Sequence, residues 1–192
     1  MKKMKAVLLL AGIVLSVNSF GQEATMASMK KEKTVTVGGA PMYPSRNIVE
    51  NAVNSADHTT LVAAVKAAGL VETLQGSGPF TVFAPTNAAF AKLPAGTVET
   101  LVKPENKATL TKILTYHVVP GRLDSKDLEK KMRKNGGKAE LTTVQGEKLW
   151  IMKDNEGKWW VKDEKGGTAR ITIPNVYQRN GVIHVVDSVL MP

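Results

Sequence analysis

The sequence of 192 residues contains no cysteine. A disulfide framework, a thiolate zinc site, a cysteine nucleophile and a lipid anchor on an N-terminal cysteine are therefore excluded. Histidine is scarce as well, with three residues, His58, His117 and His184, and no pair has the spacing of a familiar metal site. We expect neither a bound metal nor a cofactor.

Motifs of catalysis and of phosphate binding are also missing. Asp187 and Ser188 come shortly after His184, but adjacent side chains on a strand point to opposite faces, and no Gly-x-Ser-x-Gly turn exposes a nucleophile. The glycine-rich segment 76–78 lacks the lysine and the length of a phosphate-binding loop. We expect a protein that is not an enzyme.

Long apolar runs are missing except at the N-terminus. There, lysines within residues 1–5 precede an apolar run over residues 6–17, and Ser19 and Gly21 fit the −3 and −1 positions of a cleavage site. The run is shorter than the ~20 residues that span a bilayer. We predict a signal peptide over residues 1–21, cleaved near Gly21, and export to the periplasm or the extracellular space. An uncleaved anchor or a buried helix is the alternative.

After the predicted signal peptide, the chain divides into a polar segment and a compact body. Residues 22–44 have little apolar periodicity and contain a lysine cluster with Gly-Gly and two prolines, which predicts a flexible linker of undetermined role. Residues 45–192 form the predicted domain. A hydrophobic fraction of 43% and a charged fraction of 22% are typical of globular proteins.

Helical patterns dominate the first half of this body and strand patterns the second. Ser45 is the predicted cap of a helix over 47–56, the apolar spacing of 59–68 predicts a helix closed by Gly69, and Pro104 precedes another that ends near Thr115. Segments rich in Val, Ile, Thr and Trp predict strands at 116–119, 140–144, 148–153, 158–162, 169–173 and 182–186. Helices first and antiparallel strands later predict an α+β domain.

Three separated segments carry a resemblance to a known family. Residues 81–90 read TVFAPTNAAF, residues 114–121 read LTYHVVPG and residues 180–192 read NGVIHVVDSVLMP. In this order and at these separations they resemble the fasciclin domain, an adhesion module, over residues 45–192. The resemblance implies a wedge-shaped β-sandwich with several packed helices, and adhesion to proteins, matrix or cell-surface carbohydrate. It implies no shared catalytic chemistry.

The first and last of these segments also have a direct structural interpretation. The apolar segment 80–84 predicts a buried strand, after which Thr86 caps a short helix that begins near Asn87, and Phe90 packs back on the strand. The pair Asn180-Gly181 predicts a hairpin turn before the last strand. In domains of the fasciclin type that strand lies at the centre of the core.

The segment Tyr116-His117 resembles the tyrosine-histidine motif to which integrin adhesion by the family has been ascribed, and the resemblance implies a partner contact there. In the alternative interpretation, His117 is buried and bonded to the turn at Thr86-Asn87, while Tyr116 packs in the core. His184 lies among valines on its predicted strand, which favours a structural histidine with an internal partner.

Two further features belong to this chain rather than to the family motifs. Trp159 and Trp160 are adjacent in a predicted hairpin and must face opposite sides, so we expect one to be exposed as a contact for a sugar ring or a protein. The alternative is that it covers the sheet edge or packs under the loop of residues 126–138. Lys130, Lys131 and Arg133 form a basic stretch in a predicted loop, which attracts acidic glycans or lipids or serves solubility alone.

Together, these patterns predict a secreted, single-domain interaction protein that binds a cell-surface or matrix protein or a polysaccharide. The alternative is a soluble carrier of a small apolar or carotenoid-like ligand in a cleft of the domain. We expect no membrane span after removal of the signal peptide. Nucleic acid is not an expected partner, because the aromatic pattern of an RNA-binding sheet is missing. The oligomeric state is not indicated.

Overall fold

A computed structural model describes residues 32–192 of the chain, which form one compact unit from Glu32 to Pro192. The predicted signal peptide and the beginning of the predicted linker lie outside the described residues. Each of the following elements lies within the described part of the chain.

The α-helices are α1 (Ile48–Ala52), α2 (Thr59–Ala68), α3 (Val71–Gln75), α4 (Asn87–Phe90), α5 (Thr97–Leu101), α6 (Lys107–Tyr116) and α7 (Ser125–Lys134), and single 3₁₀ turns precede α2 and α6. The strands are β1 (Val35–Val37), β2 (Ala40–Met42), β3 (Phe80–Pro85), β4 (Val118–Pro120), β5 (Lys138–Thr142), β6 (Lys148–Lys153), β7 (Trp159–Lys162), β8 (Thr168–Gln178) and β9 (Gly181–Val186).

Strands β3 to β9 form one sheet in the order β4-β3-β9-β8-β7-β6-β5. All neighbouring pairs are antiparallel except β3 and β9, which run parallel. The sheet curls so that its two edges approach each other, and the Val144 amide donates to the Val118 carbonyl at 2.7 Å. Within residues 32–192, all seven α-helices precede β5. The predicted α+β class, with helices mostly in the first half, is confirmed.

Two apolar clusters fill the domain. The first lies between helices α1, α2, α3 and α6 and the strands β3 and β9, with Ile48, Val65, Leu74, Val82 and Ile183 among its buried members. The second lies inside the curl of β5 to β8 under helix α7, and its buried members include Phe83, Leu128, Ile151, Val161 and Leu190. Strand β9 contributes to both clusters, so it joins the two halves of the domain.

Local patterns explain the helix ends, with one correction. Helix α2 follows the predicted bounds, and Gly69 closes it in the left-handed conformation at φ 74°. The predicted cap Ser45 is wrong. Asn47 caps α1 instead, because its side chain accepts the Glu50 amide at 2.8 Å while the Glu50 carboxylate accepts the Asn47 amide at 2.8 Å.

The segment expected to be a linker up to residue 44 is structured over its last part. Strands β1 and β2 form a hairpin, and Val37 and Met42 are each only 3% exposed in the first apolar cluster. The compact unit therefore begins at Glu32 rather than at residue 45. The strands are three residues long, and they are stable here because the domain buries one face of the hairpin.

The basic stretch expected in a loop is helix α7. Asp124 accepts the amides of Lys126 and Asp127, and Asp127 accepts the Asp124 amide in return, which forms a capping box. Leu128 and Met132, four residues apart, are buried in the second cluster. The apolar pair and the cap decide the conformation, because lysine and arginine are compatible with a helix.

The position of the last strand, β9, depends on the turn that precedes it. Asn180 is 5% exposed, accepts the Ile48 amide at 3.0 Å and donates to the carbonyls of Leu74 and Gly76 at 2.8 and 2.9 Å. Gly181 leaves no room for a side chain, since a Cβ there would overlap the Phe80 carbonyl. The Asn-Gly pair thus ties α1 and α3 to the β8–β9 hairpin, which is present as predicted.

We expect Asn180→Ala to lower the free energy of unfolding by about 3 kcal/mol, because it leaves one buried amide and two buried carbonyls without partners. Urea denaturation measures this. Asn155→Ala, in an exposed turn, is the control, and it should change stability by less than about 0.5 kcal/mol. Equal effects of the two substitutions would show that the Asn180 bonds do not hold the turn.

Candidate functional site

The family motif residue Tyr116 lies inside the domain. Its side chain is 0% exposed, and its hydroxyl donates to the Lys148 carbonyl at 2.8 Å and accepts the Glu164 amide at 3.1 Å. Burial, with nearby carboxylates, raises the pKa of Tyr116 to about 12, although the Glu164 amide opposes that rise. The ring therefore joins the end of α6 to β6 and to the β7–β8 turn.

The neighbouring His117 is also buried, at 3% exposure. Its Nδ1 lies 2.8 Å from the Ile113 carbonyl, and its Nε2 accepts the Leu190 amide at 3.0 Å. Nδ1 therefore carries the proton. His117 is buried, as the alternative interpretation predicts. The predicted hydrogen bond from His117 to the turn at Thr86-Asn87 is wrong. The ring instead holds the C-terminal residues against α6.

His184 is an internal residue of the central strand. It is 0% exposed, its Nδ1 accepts the Asn175 amide at 3.4 Å, and its Nε2 lies 2.9 Å from the Leu123 carbonyl. Its ring stacks on Phe83 with centroids 5.7 Å apart. Both ring nitrogens thus have protein partners, which leaves none for a ligand.

The residues after β3 perform local structural tasks. The Thr86 hydroxyl accepts the Ala89 amide at 3.2 Å and caps α4, and Phe90 is buried at 8% exposure. Asn87 accepts the Thr60 amide at 3.0 Å and donates to the Ala56 carbonyl at 2.8 Å, so it orders the start of α2. The motif residues therefore position elements, and their side chains are not presented to a partner.

The two adjacent tryptophans face opposite sides of the sheet, as strand geometry requires. Trp159 points inward, where it packs against the second apolar cluster and carries the Lys153 ammonium 4.4 Å from its ring centroid. Trp160 lies on the outer side. Its indole nitrogen donates to Asp154 at 2.9 Å, and this bond is the main cause of the lowered pKa of Asp154.

The strand register places further side chains beside Trp160. Buried residues such as Leu141, Ile151 and Val161 occupy the inner face of β5 to β8, and the alternating positions point outward. One outward row across the four strands contains Lys138, Met152, Trp160 and Arg170. The next row contains Glu140, Trp150, Lys162 and Thr168. These two rows are called the outer face below.

Trp150 and Met152 were not singled out by the sequence analysis as contact residues. Trp150, Met152, Trp160 and Arg170 are each partly exposed, whereas Lys138, Glu140, Lys162 and Thr168 are exposed. The signal that could have found Trp150 is the alternation along β6, where Leu149 and Ile151 are buried on its other side. Pairing Trp150 with Trp160 required the register between β6 and β7.

Helix α7 carries an exposed basic surface next to this sheet. Lys130, Lys131 and Arg133 are exposed, on the side of the helix away from the buried pair Leu128 and Met132. Glu129 pairs with Lys153 at 3.1 Å and lies 3.9 Å from Arg133. The helix leads through a glycine turn directly into Lys138, the first residue of edge strand β5.

A cavity lies in the first apolar cluster. It has a volume of about 90 Å³ and lies between helices α1 to α3 and the strands β3 and β9, with Ile48, Val65, Leu74 and Val82 in its wall. Pockets for drug-sized ligands enclose roughly 300–1,000 Å³. Over residues 32–192, no group of three or more potential ligand side chains could hold a metal ion, and no helix has the length and apolar character to cross a membrane.

Comparisons with known proteins agree with this fold. A family model for the fasciclin domain matches residues 56–192. The chain is 48% identical over 168 residues to protein sll1483 of Synechocystis sp., covering 87% of this chain and 86% of that protein. It is 38% identical over 123 residues to the cell surface glycolipoprotein MPB83 of Mycobacterium bovis, covering 64% of this chain and 48% of that protein.

Among solved structures, a FAS1 domain pair from the insect cell adhesion molecule fasciclin I matches with a TM-score of 0.68 at 18% sequence identity, covering 84% of this chain and 59% of that chain. The architecture is therefore that of a FAS1 domain, and the expected fold is confirmed. The chain belongs to the fasciclin domain family. This family is associated with adhesion and interaction.

The buried histidines predict how stability depends on pH. Burial lowers the pKa of His117 from 6.5 to about 4, against the opposing effects of the Ile113 carbonyl and Asp163, and burial also lowers the pKa values of His58 and His184. Below pH 6.5 these histidines therefore bind protons in the unfolded chain but remain neutral in the folded chain. We expect the free energy of unfolding to fall as the pH drops from about 6.5 to about 5.

Urea denaturation over this pH range measures the effect. His117→Gln should reduce the slope by up to one proton, or at most about 1.4 kcal/mol per pH unit. Aspartate and glutamate titrate from ordinary pKa values of 3.8 and 4.5, so carboxylates contribute to the slope chiefly at the lower end of this range. A wild-type stability that stays constant across it would contradict the assignment of neutral, buried histidines.

Proposed function

We propose that this chain is an exported, non-enzymatic adhesion module that attaches to a cell-surface, matrix or polysaccharide partner through its outer face. The observation that carries the proposal is the contrast between buried and exposed features. Tyr116 and His117 are buried and bonded internally, whereas Trp150 and Trp160 present partly exposed rings on one side of the sheet.

The relatives support the general class. One relative is described as a cell surface glycolipoprotein, and the matched solved structure is that of an insect cell adhesion molecule. Export is supported in this chain by the signal-peptide pattern of residues 1–21. In this proposal Tyr116 and His117 act indirectly, since they hold the sheet and the C-terminal residues in place.

The carrier hypothesis is less well supported. The apolar cavity of about 90 Å³ is far smaller than a carotenoid requires, so a ligand of that size would have to separate the helices from the sheet. A carrier would be recognised by colour or by extractable lipid in the purified protein. The same preparation used for the binding experiment therefore tests this alternative.

We expect the purified full-length protein to bind the envelope or matrix fraction of its source cells saturably in a sedimentation assay. Trp150→Ala/Trp160→Ala should weaken binding at least about tenfold, because aromatic anchors contribute most of the energy in such contacts. Tyr116→Phe is the matched control, since it removes a buried hydroxyl and keeps the ring. It should lower stability by about 1–2 kcal/mol and leave binding unchanged.

Circular dichroism establishes that each variant is folded before binding is compared. Absence of binding to every fraction would overturn the adhesion function. Loss of binding in folded Tyr116→Phe, with retention in the tryptophan pair, would move the contact to the family motif.

A further inference from the structure

Resting on the proposed function, we propose that the outer face binds an acidic polysaccharide whose sugars carry carboxylates. In this assignment Trp150 and Trp160 stack on sugar rings, while Lys138, Lys162 and Arg170 contact the carboxylates. Three features support this assignment: one indole is fixed in place, cations surround both indoles, and the face has no large apolar area.

Trp160 is fixed in place before any ligand binds. Its indole nitrogen donates to Asp154 at 2.9 Å, and the other oxygen of Asp154 accepts the amides of Glu156 and Lys158, each at 2.9 Å. The hydrogen-bonding group of the indole is thereby satisfied, and the turn holds the ring at little further cost in entropy. What the side chain still offers to a partner is the face of its ring.

Trp150 extends this aromatic surface. In the register of β6 and β7, Met152 lies opposite Trp160 and Trp150 lies opposite Lys162, so the two tryptophans occupy diagonal positions. Diagonal side chains on one sheet face are about 7–8 Å apart at their Cα atoms. In residues 32–192 no lysine or arginine is seated over either ring, whereas Lys153 covers the ring of Trp159. Two neighbouring indoles suit successive sugars of a chain better than a single small ligand.

Cations border both tryptophans in the same register. Lys162 lies opposite Trp150, Arg170 lies opposite Trp160, and Lys138 ends the row that contains Met152. The one acidic side chain within the two rows, Glu140, is paired with Lys148 at 2.6 Å. Arg170 lies 3.9 Å from Asp187 and is partly exposed, whereas Lys138 and Lys162 are exposed. The outer face therefore combines stacking positions with positive charge, which complements a sugar chain that carries carboxylates.

Helix α7 adds positive charge near the β5 edge, on the side of the sheet opposite the outer face. Its exposed Lys130, Lys131 and Arg133 lie on the element that leads directly into Lys138. These cations therefore attract a polyanion at long range and do not belong to the contact surface of the outer face. Such charges raise the rate of encounter, and salt screens them more than it screens the stacking contacts.

The composition of the outer face argues against an anionic bilayer as the partner. An element that inserts into a membrane interface presents a contiguous apolar surface, with its charges on the opposite side. Here lysine, arginine, glutamate and threonine alternate with the tryptophans on the same rows. Flat stacking on a polar, hydroxyl-rich ligand fits this mixture.

The test uses polygalacturonate as the probe, the full-length protein and intrinsic tryptophan fluorescence with isothermal titration calorimetry. Dextran serves as the neutral polysaccharide, polyglutamate as a polyanion without sugar rings, and phosphatidylglycerol vesicles as an anionic surface. We expect binding to polygalacturonate at least about tenfold tighter than to each of the other three. Raising salt from about 50 to about 500 mM should weaken the binding without abolishing it.

Two double-alanine variants separate stacking from charge, and two phenylalanine variants serve as their controls. Trp150→Ala/Trp160→Ala should lose at least about tenfold in affinity at both salt concentrations, and Trp159→Phe, on the inner face, should change it less than about twofold. Lys138→Ala/Lys162→Ala should weaken binding strongly at low salt and little at high salt. Trp150→Phe/Trp160→Phe retains aromatic rings and should recover most of the affinity, which separates stacking from a loss of folding.

Equal binding of polygalacturonate and polyglutamate, or unchanged affinity in the folded tryptophan variants, would overturn the inference. Preference for the vesicles or for dextran would also overturn it. A failure of this inference can be distinguished from a failure of the proposed function. If the protein binds its envelope fraction but not polygalacturonate, it remains an adhesion module with another ligand. If it binds no fraction, the adhesion function itself is wrong.

Discussion

The structure depends on the complete burial of the last strand. All six residues of β9 are buried, and the strand lies between β3, to which it is parallel, and β8, to which it is antiparallel. Its side chains enter both apolar clusters, so neither half of the domain is closed without it. The chain must therefore bring its last residues into the centre, where Asn180 and Gly181 permit the close approach of Phe80. Long-range pairing of this kind makes folding slow and cooperative.

Burial of the central strand explains the chemistry of the family motifs. Polar groups inside such a core must find protein partners, and His117 and His184 do so through both ring nitrogens. In each ring one nitrogen accepts a backbone amide, so a second proton would place two donors against each other. The neutral imidazole is the form that fits. A histidine in this role connects distant backbone segments, and its presence in a motif does not make it a contact residue.

The sheet separates structure from interaction by its two faces. On β5 to β8 the inner side chains are mostly small or aliphatic and pack with α7, with Trp159 beside them. The outer rows carry tryptophans and charged side chains together with Met152 and Thr168. Because the inner face carries the stability, the outer positions are available for a partner specific to this chain. This arrangement allows a common fold to serve different partners, since a change on the outer rows leaves the packing of the core intact.

The sequence by itself determined the α+β class and helix α2, because both follow from local periodicity. Turn chemistry determined the glycine cap of α2 and the Asn-Gly hairpin, and three separated motifs determined the family. The sequence also required Trp159 and Trp160 to face opposite sides. Only the tertiary structure decided which of them points outward, since that depends on the register with Met152 and on the packing of α7. The hairpin of β1 and β2 and the helical state of the basic segment were missed for the same reason. Their polar sequences become ordered where Val37, Met42, Leu128 and Met132 meet apolar surfaces supplied by distant parts of the chain.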